Sequence, residues 1–201
     1  MDFVFCLELI GTIAFAISGA LVAIDKKMDI LGVAILGMTT AVGGGIVRDI
    51  ILGNFPPAAF QNPFNALLAI AVSLIIFFPF VRRVFGFRKT RKGILLMDAI
   101  GLAVFTMLGL RAGFRYDNFF LAVFVGVVTG VGGGVMRDVF AGERPQIFTK
   151  YFYASAAIIG ANIAGLLWSV NHIAAMTTGV VVIVVLRLLA AKFHWSLPHA
   201  K

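Results

Sequence analysis

Gly43-Gly44-Gly45-Ile46-Val47-Arg48-Asp49 returns as Gly132-Gly133-Gly134-Val135-Met136-Arg137-Asp138, 89 residues downstream. Each copy lies late in a long apolar run. Three glycines followed by an ion pair are a costly insertion in a membrane helix, and their repetition points to two related halves meeting around a site. The likeness extends outward. Gly53 matches Gly142 and Pro56 matches Pro145 at the same offset of 89. Upstream, Glu8, Gly11, Phe15 and Gly19 match Asp98, Gly101, Phe105 and Gly109 at an offset of 90.

The surrounding composition is that of a membrane protein. Of 201 residues, 61% are hydrophobic and 13% charged, with a mean hydropathy of +1.02. A soluble domain of this size needs more polar surface. Seven apolar spans are read at roughly 3–24, 30–53, 63–81, 93–111, 119–141, 151–170 and 173–191, several reaching the roughly 20 residues that cross a bilayer as helix. Pro56, Pro57 and Pro63 stiffen the loop after the second span. A cleavable signal peptide is not expected: Met1-Asp2-Phe3 lacks a basic n-region, and apolar runs continue to the C-terminus.

The net charge of +8 does not indicate nucleic acid. Arg82, Arg83, Arg88, Lys89, Arg91 and Lys92 form one short segment between spans, as the positive-inside rule places in a cytoplasmic loop. Such a segment also attracts anionic lipid heads. Lys26, Lys27, Arg144, Lys150, Lys192 and Lys201 fall on the same side, leaving mainly Arg111 and Arg115 opposite. The N-terminus is therefore expected outside and the C-terminus in the cytoplasm. Cys6 is the only cysteine, so no intrachain disulfide forms. His172, His194 and His199 read as solvated polar residues, and no metal-ligand cluster stands out. Nothing pairs a nucleophile with a base, so neither enzyme activity nor a cofactor is expected.

Spans one to three repeat as spans four to six. Three is odd, so the second copy enters the membrane from the opposite side. The expected fold class is an all-α membrane protein with an inverted-topology repeat: residues 1–86 form the first three-helix unit, 87–171 the inverted second, and 172–201 a seventh helix and tail. The seventh helix is left over, for packing or assembly.

Two chemistries compete for the glycines. At Gly43–Gly45 and Gly132–Gly134 a helix can kink, and carbonyls freed into a water-filled cavity can coordinate a cation. Alternatively, the small residues let helices pack closely; the duplication with charges attached favours the first reading. Arg48, Asp49, Arg137 and Asp138 form either a charged vestibule on a permeation path or structural ion pairs. Adjacent residues diverge on a helix, so cross-span pairing with Glu8 or Asp98 is as plausible as pairing within each Arg-Asp dipeptide. Thr39, Thr40 and Thr129, with Ser18 a weaker case, either line a pore or bond back to their helix. Phe15 and Phe105 read as core packing ahead of a hydrophobic constriction.

The doubled GGGxxRD string, the matched glycines and prolines, seven spans and the length together resemble a prokaryotic member of the trimeric intracellular cation (TRIC) channel family, also labelled as predicted glycine transporters. The resemblance covers residues 3 to 191. It implies a homotrimer with an hourglass pore in each protomer, lined by spans two and five kinked at the glycines. It further implies conduction of potassium with modest discrimination against sodium, in a prokaryotic plasma membrane among its lipids. The calcium-store role of animal members does not carry over to this short-tailed chain. A passive cation pore is thus the leading expectation. The alternatives are a secondary transporter of glycine or another small solute, its carboxylate bound by Arg48 or Arg137, and a non-conducting structural or lipid-binding protein.

Overall fold

A computed structural model describes residues 3–84, 90–149 and 152–195. Arg88, Lys89, Lys150, His199 and Lys201, all weighed above, lie outside these residues. The chain runs α1 (Phe3–Asp25), α2 (Ile30–Ile51), α3 (Ala58–Gln61), α4 (Phe64–Phe77), α5 (Pro79–Val84), α6 (Thr90–Gly113), α7 (Phe119–Phe140), α8 (Gln146–Thr149), α9 (Tyr153–Leu167) and α10 (His172–Phe193). Among the described residues, five helices are long and apolar enough to cross a membrane, and α4 and α9 are shorter apolar helices. The fold is therefore an all-α multi-span membrane fold.

The boundaries refine the expected spans. The third stops at Phe77 rather than 81 because Phe78, ahead of Pro79, is extended (φ −73°, ψ 127°), as the residue before a proline prefers. The helix then restarts as α5. The fourth begins at Thr90 and ends at Gly113, and the sixth covers only Tyr153–Leu167. The proline-bearing loop after α2 contains α3, and the matched loop after α7 contains α8.

The same local chemistry starts and stops α2 and α7. Asp29 Oδ1 accepts from Gly32 N–H at 2.7 Å, and its counterpart Asn118 Oδ1 accepts from Leu121 N–H at 2.9 Å. Both are side-chain N-caps. At the far ends Gly53 (φ +72°) and Gly142 (φ +69°) take the left-handed conformation. The Asn54 and Glu143 amides then reach back to the Asp49 and Asp138 carbonyls at 2.8 Å, and the Gly53 and Gly142 amides to Ile50 and Val139. These are Schellman caps, and they explain why the glycine match extends past the Arg-Asp pair.

Helices α1, α2 and α4 pack mutually, as do α6, α7 and α9. The two sets meet where α1 lies on α6 and α2 on α7, while α10 packs on α6 and α9. Phe15, Leu102, Met107 and Ile183 sit in the larger core cluster, and Leu21, Val33 and Ile76 in the smaller.

Candidate functional site

The site grows from the crossing of α2 and α7. Both helices run uninterrupted through their glycines, so the expected release of carbonyls at a helix break is absent; only a bend within continuous helix remains open to them. The physical reason is contact. A Cβ on Gly44 would strike the Thr129 carbonyl oxygen, and one on Gly133 would strike the Thr40 carbonyl oxygen. Each is the other's image at the 89-residue offset. A Cβ on Gly132 would lie 3.1 Å from Gly44 Cα. Close backbone approach of this kind compensates glycine's poor helix propensity.

The same exchange recurs one layer out. Phe15 and Phe105 stack at 5.2 Å between centroids, 22° apart. Phe15 occupies the space of a Cβ on Gly101, while Phe105 lies 3.1 Å from one on Gly11. Both rings are buried. The Thr40 and Thr129 hydroxyls are fully buried and donate to the Leu36 and Val125 carbonyls at 2.6 Å. Half-buried Thr39 donates to Ile35 O at 2.8 Å. All three hydroxyls thus bond back to their own helix.

The Arg-Asp dipeptides pair within themselves. Arg48 Nε and Nη2 each lie 2.8 Å from Asp49 Oδ1, and Arg137 Nε and Nη2 lie 2.9 and 2.8 Å from Asp138 Oδ1. The long arginine stem folds back far enough to overcome the helical divergence of neighbours. The second carboxylate oxygen has a different task. Asp49 Oδ2 accepts from Ala58 N–H at 2.9 Å and Asp138 Oδ2 from Gln146 N–H at 2.8 Å. Each aspartate therefore starts the short helix that follows.

Beyond this point the two copies differ. Arg48 retains 20% side-chain exposure and lines a cavity of about 420 Å³ with Glu8, Asn54, Gln61, Arg111 and Arg115. A second cavity of about 280 Å³ shares Glu8, Arg48 and Asp49 and reaches Thr12, Gly45 and Phe105. Glu8 accepts from Asn65 Nδ2 at 2.7 Å. Arg137, by contrast, is fully buried. Its Nη1 donates to Asp98 Oδ1 at 2.6 Å and to Ser18 Oγ at 2.7 Å. The cross-span pairing weighed for both arginines is thus made in the second copy.

Asp98 also accepts from the Tyr153 hydroxyl at 3.2 Å and pairs with Arg187 Nη2 at 3.4 Å. The Arg187 guanidinium lies 4.4 Å from the Tyr153 ring centroid. Two arginines thus balance two aspartates in a buried cluster, as buried charge requires. Gly45 looks into open space, the nearest neighbour of an added Cβ being Arg48 Nη2 at 3.9 Å. Its image Gly134 faces the cluster, with Tyr153 OH only 2.6 Å from such an atom. Where one copy leaves a cavity, the other is filled by side chains.

Arg187 and Tyr153 escaped the sequence reading, which left the seventh helix without a site residue. A lone arginine within the apolar run Val180 to Ala191 was the available signal, because a charge at that depth needs a partner. Arg111 and Arg115, read only as loop charges, line the open cavity.

The family described as Glycine transporter matches residues 5–80 and 95–169. The chain is 40% identical over 200 residues to the UPF0126 inner membrane protein YadS of Escherichia coli (strain K12), covering 97% of this chain and 95% of that one. It is 37% identical over 196 residues to the UPF0126 membrane protein YvgT of Bacillus subtilis (strain 168), covering 96% and 94%. Among solved structures, a TRIC cation channel studied for its conductance superposes with a TM-score of 0.84 at 38% identity, covering 100% of this chain and 98% of that one. The TRIC orthologue from Rhodobacter sphaeroides superposes at 0.89 with 30% identity, covering 97% and 100%.

Proposed function

The chain belongs to the family that joins the TRIC channels to the UPF0126 membrane proteins and carries the description Glycine transporter, and from that premise we propose that it is a passive pore for monovalent cations. The observation that carries the proposal is a pair of adjoining cavities that share Glu8, Arg48 and Asp49, the polar outer one reaching Arg111 and Arg115 and the inner one Gly45 and Phe105, beside the α2–α7 crossing. A polar path into the middle of an apolar helical bundle serves permeation more readily than packing. The solved TRIC channels at 30% identity and above support the same reading.

The finer features of the proposal follow from this. Residues 1–86 and 87–171 are inverted repeats and residues 172–201 carry the seventh helix. The reciprocal Gly44–Thr129 and Gly133–Thr40 contacts, and the separate family matches at 5–80 and 95–169, support this division. Each protomer of a homotrimer holds its own path, lined by α2 and α7 at Gly43–Gly45 and Gly132–Gly134. Conduction favours potassium over sodium weakly, because no ring of free carbonyls is offered by the continuous helices. The protein sits in a prokaryotic plasma membrane with its N-terminus outside and its C-terminus in the cytoplasm, placing the basic α5–α6 segment inside. In this arrangement the open cavity faces outward, and the Asp98–Arg137–Tyr153–Arg187 cluster closes the inward half of the path. The chain accordingly works as a channel, with no chemical step.

One observation favours a second reading. An open cavity on one side and a filled counterpart on the other is also how an alternating-access carrier rests. Unitary currents linear in voltage, at rates beyond a carrier cycle, support the pore. Saturable glycine uptake with counterflow and no unitary current replaces it with the carrier.

A further inference from the structure

Glu8 and Asp98 hold matched places, and each accepts from a residue in the first turn of α4 or α9. Glu8 Oε1 accepts from Asn65 Nδ2 at 2.7 Å, and Asp98 Oδ1 from the Tyr153 hydroxyl at 3.2 Å. There the likeness stops. Asp98 also holds two guanidiniums, that of Arg137 at 2.6 Å and that of Arg187 at 3.4 Å. Among the described residues no ion pair joins Glu8 to a cation. Arg48 turns to Asp49 instead. Arg187 has no image in the first half, because the α10 that carries it packs on α6 and α9.

The charges around the inner cavity do not balance. Three charged side chains line its roughly 280 Å³: Glu8, Arg48 and Asp49. Arg48 and Asp49 cancel, so one carboxylate is left over. Arg111 and Arg115 are exposed and line only the outer cavity. Glu8 stands five residues past Phe3, about 7.5 Å along α1, where an ionised carboxylate needs a counter-charge. Asn65 Oδ1 is a second acceptor in want of a partner. It is buried without a hydrogen bond among the described residues, and Asn65 lines this same cavity. Thr12, one turn on from Glu8 and its neighbour along the helix face, adds a hydroxyl to the wall. One carboxylate is little charge for calcium, whose sites gather several. Among the described residues no three acidic, histidine or cysteine side chains come together to hold such an ion.

We propose that the inner cavity binds one monovalent cation on the Glu8 carboxylate, in the position that a guanidinium takes on Asp98. Asn65 fixes the carboxylate through Nδ2, and Asn65 Oδ1 and the Thr12 hydroxyl are the neutral oxygens of the site. The cavity has room for several waters at about 30 Å³ each, so the ion keeps part of its hydration shell. The inference rests on the reading of these cavities as a cation path and fixes where along that path the ion binds. Because the second half builds the same place with arginine, free guanidinium is itself a ligand for the site.

Two measurements test it. Crystals of the purified protein soaked in thallium, a heavy stand-in for potassium, should show an anomalous peak beside the Glu8 side chain in wild type and E8D and none in E8Q. In bilayers, guanidinium added on the N-terminal side should compete with potassium current in wild type. E8Q should need about tenfold more guanidinium for the same effect, since a charge-assisted hydrogen bond is lost. No peak beside Glu8, a peak that survives E8Q, or equal competition in wild type and E8Q would each overturn the proposal. The two readings fail separately. Unitary potassium currents without the thallium peak remove the site and leave the pore, whereas a peak lost in E8Q with silent bilayers removes the pore and leaves the site.

Discussion

Asp98 and Glu8 occupy matched positions, so neutralising each by one atom is a controlled comparison. Asp98→Asn removes the carboxylate that bridges Arg137 and Arg187, in a cluster whose side chains are at most 2% exposed. Removing one partner of a buried ion pair costs about 3–5 kcal/mol, because the surviving charge stays desolvated. Glu8→Gln keeps a hydrogen-bond acceptor for Asn65 Nδ2 and sits beside an open cavity, so the loss is about 1 kcal/mol or less. For a chain of this length, about 1 kcal/mol moves the unfolding midpoint by roughly 2–4 °C. Thermal unfolding of both variants in one detergent should therefore show a fall of about 6–20 °C for Asp98→Asn and at most about 4 °C for Glu8→Gln. In bilayers Asp98→Asn should also raise the open fraction at unchanged unitary current, since its carboxylate lies in the filled half. Equal unfolding shifts would refute the asymmetry between the two copies.

The glycines give a similar pairing. Gly45→Ala meets open space and should stabilise by up to about 1 kcal/mol, whereas Gly134→Ala must displace the Tyr153 hydroxyl and should destabilise; chemical or thermal unfolding decides. Gly44→Leu and Gly133→Leu force the α2 and α7 backbones apart and should abolish flux in vesicle assays, with normal flux in folded protein removing the crossing from the path. With Cys6 replaced by serine, Val42→Cys should react with a charged thiol reagent added outside, because half-buried Val42 borders the open cavity. Thr106→Cys, buried behind the crossing, should not. Arg187→Gln should raise the open fraction, since α10 would no longer hold Asp98 Oδ2; an unchanged open fraction would confine the seventh helix to packing.

Much of the fold was legible because its determinants are local. Apolar run length marks the spans, and the doubled string with its matched Gly53 and Gly142 marks α2 and α7 as equivalent helices. The short helices α3 and α8 carry too few residues to show a period, and the restart at Pro79 depends on where α5 packs. The candidate site was half legible. The repeat located Arg48, Asp49, Arg137 and Asp138, and Asp98 with them. It could not show that one arginine opens onto a cavity while its image is sealed, because that difference comes from Tyr153 and Arg187, which lie downstream of both motifs. Nor could it show that the glycines preserve the helices: whether three glycines bend a helix or admit a neighbour is settled by what packs against them, here the Thr40 and Thr129 carbonyls.

The central claim is that the polar cavity and the α2–α7 crossing belong to a cation pore. Planar-bilayer recording of the purified protein under asymmetric potassium chloride tests it most directly, followed by replacement of potassium with sodium. The account predicts unitary currents reversing near the potassium equilibrium potential, with only a modest change in sodium. Currents reversing near the chloride potential, or an electrically silent bilayer containing protein that exchanges glycine across vesicles, would contradict it.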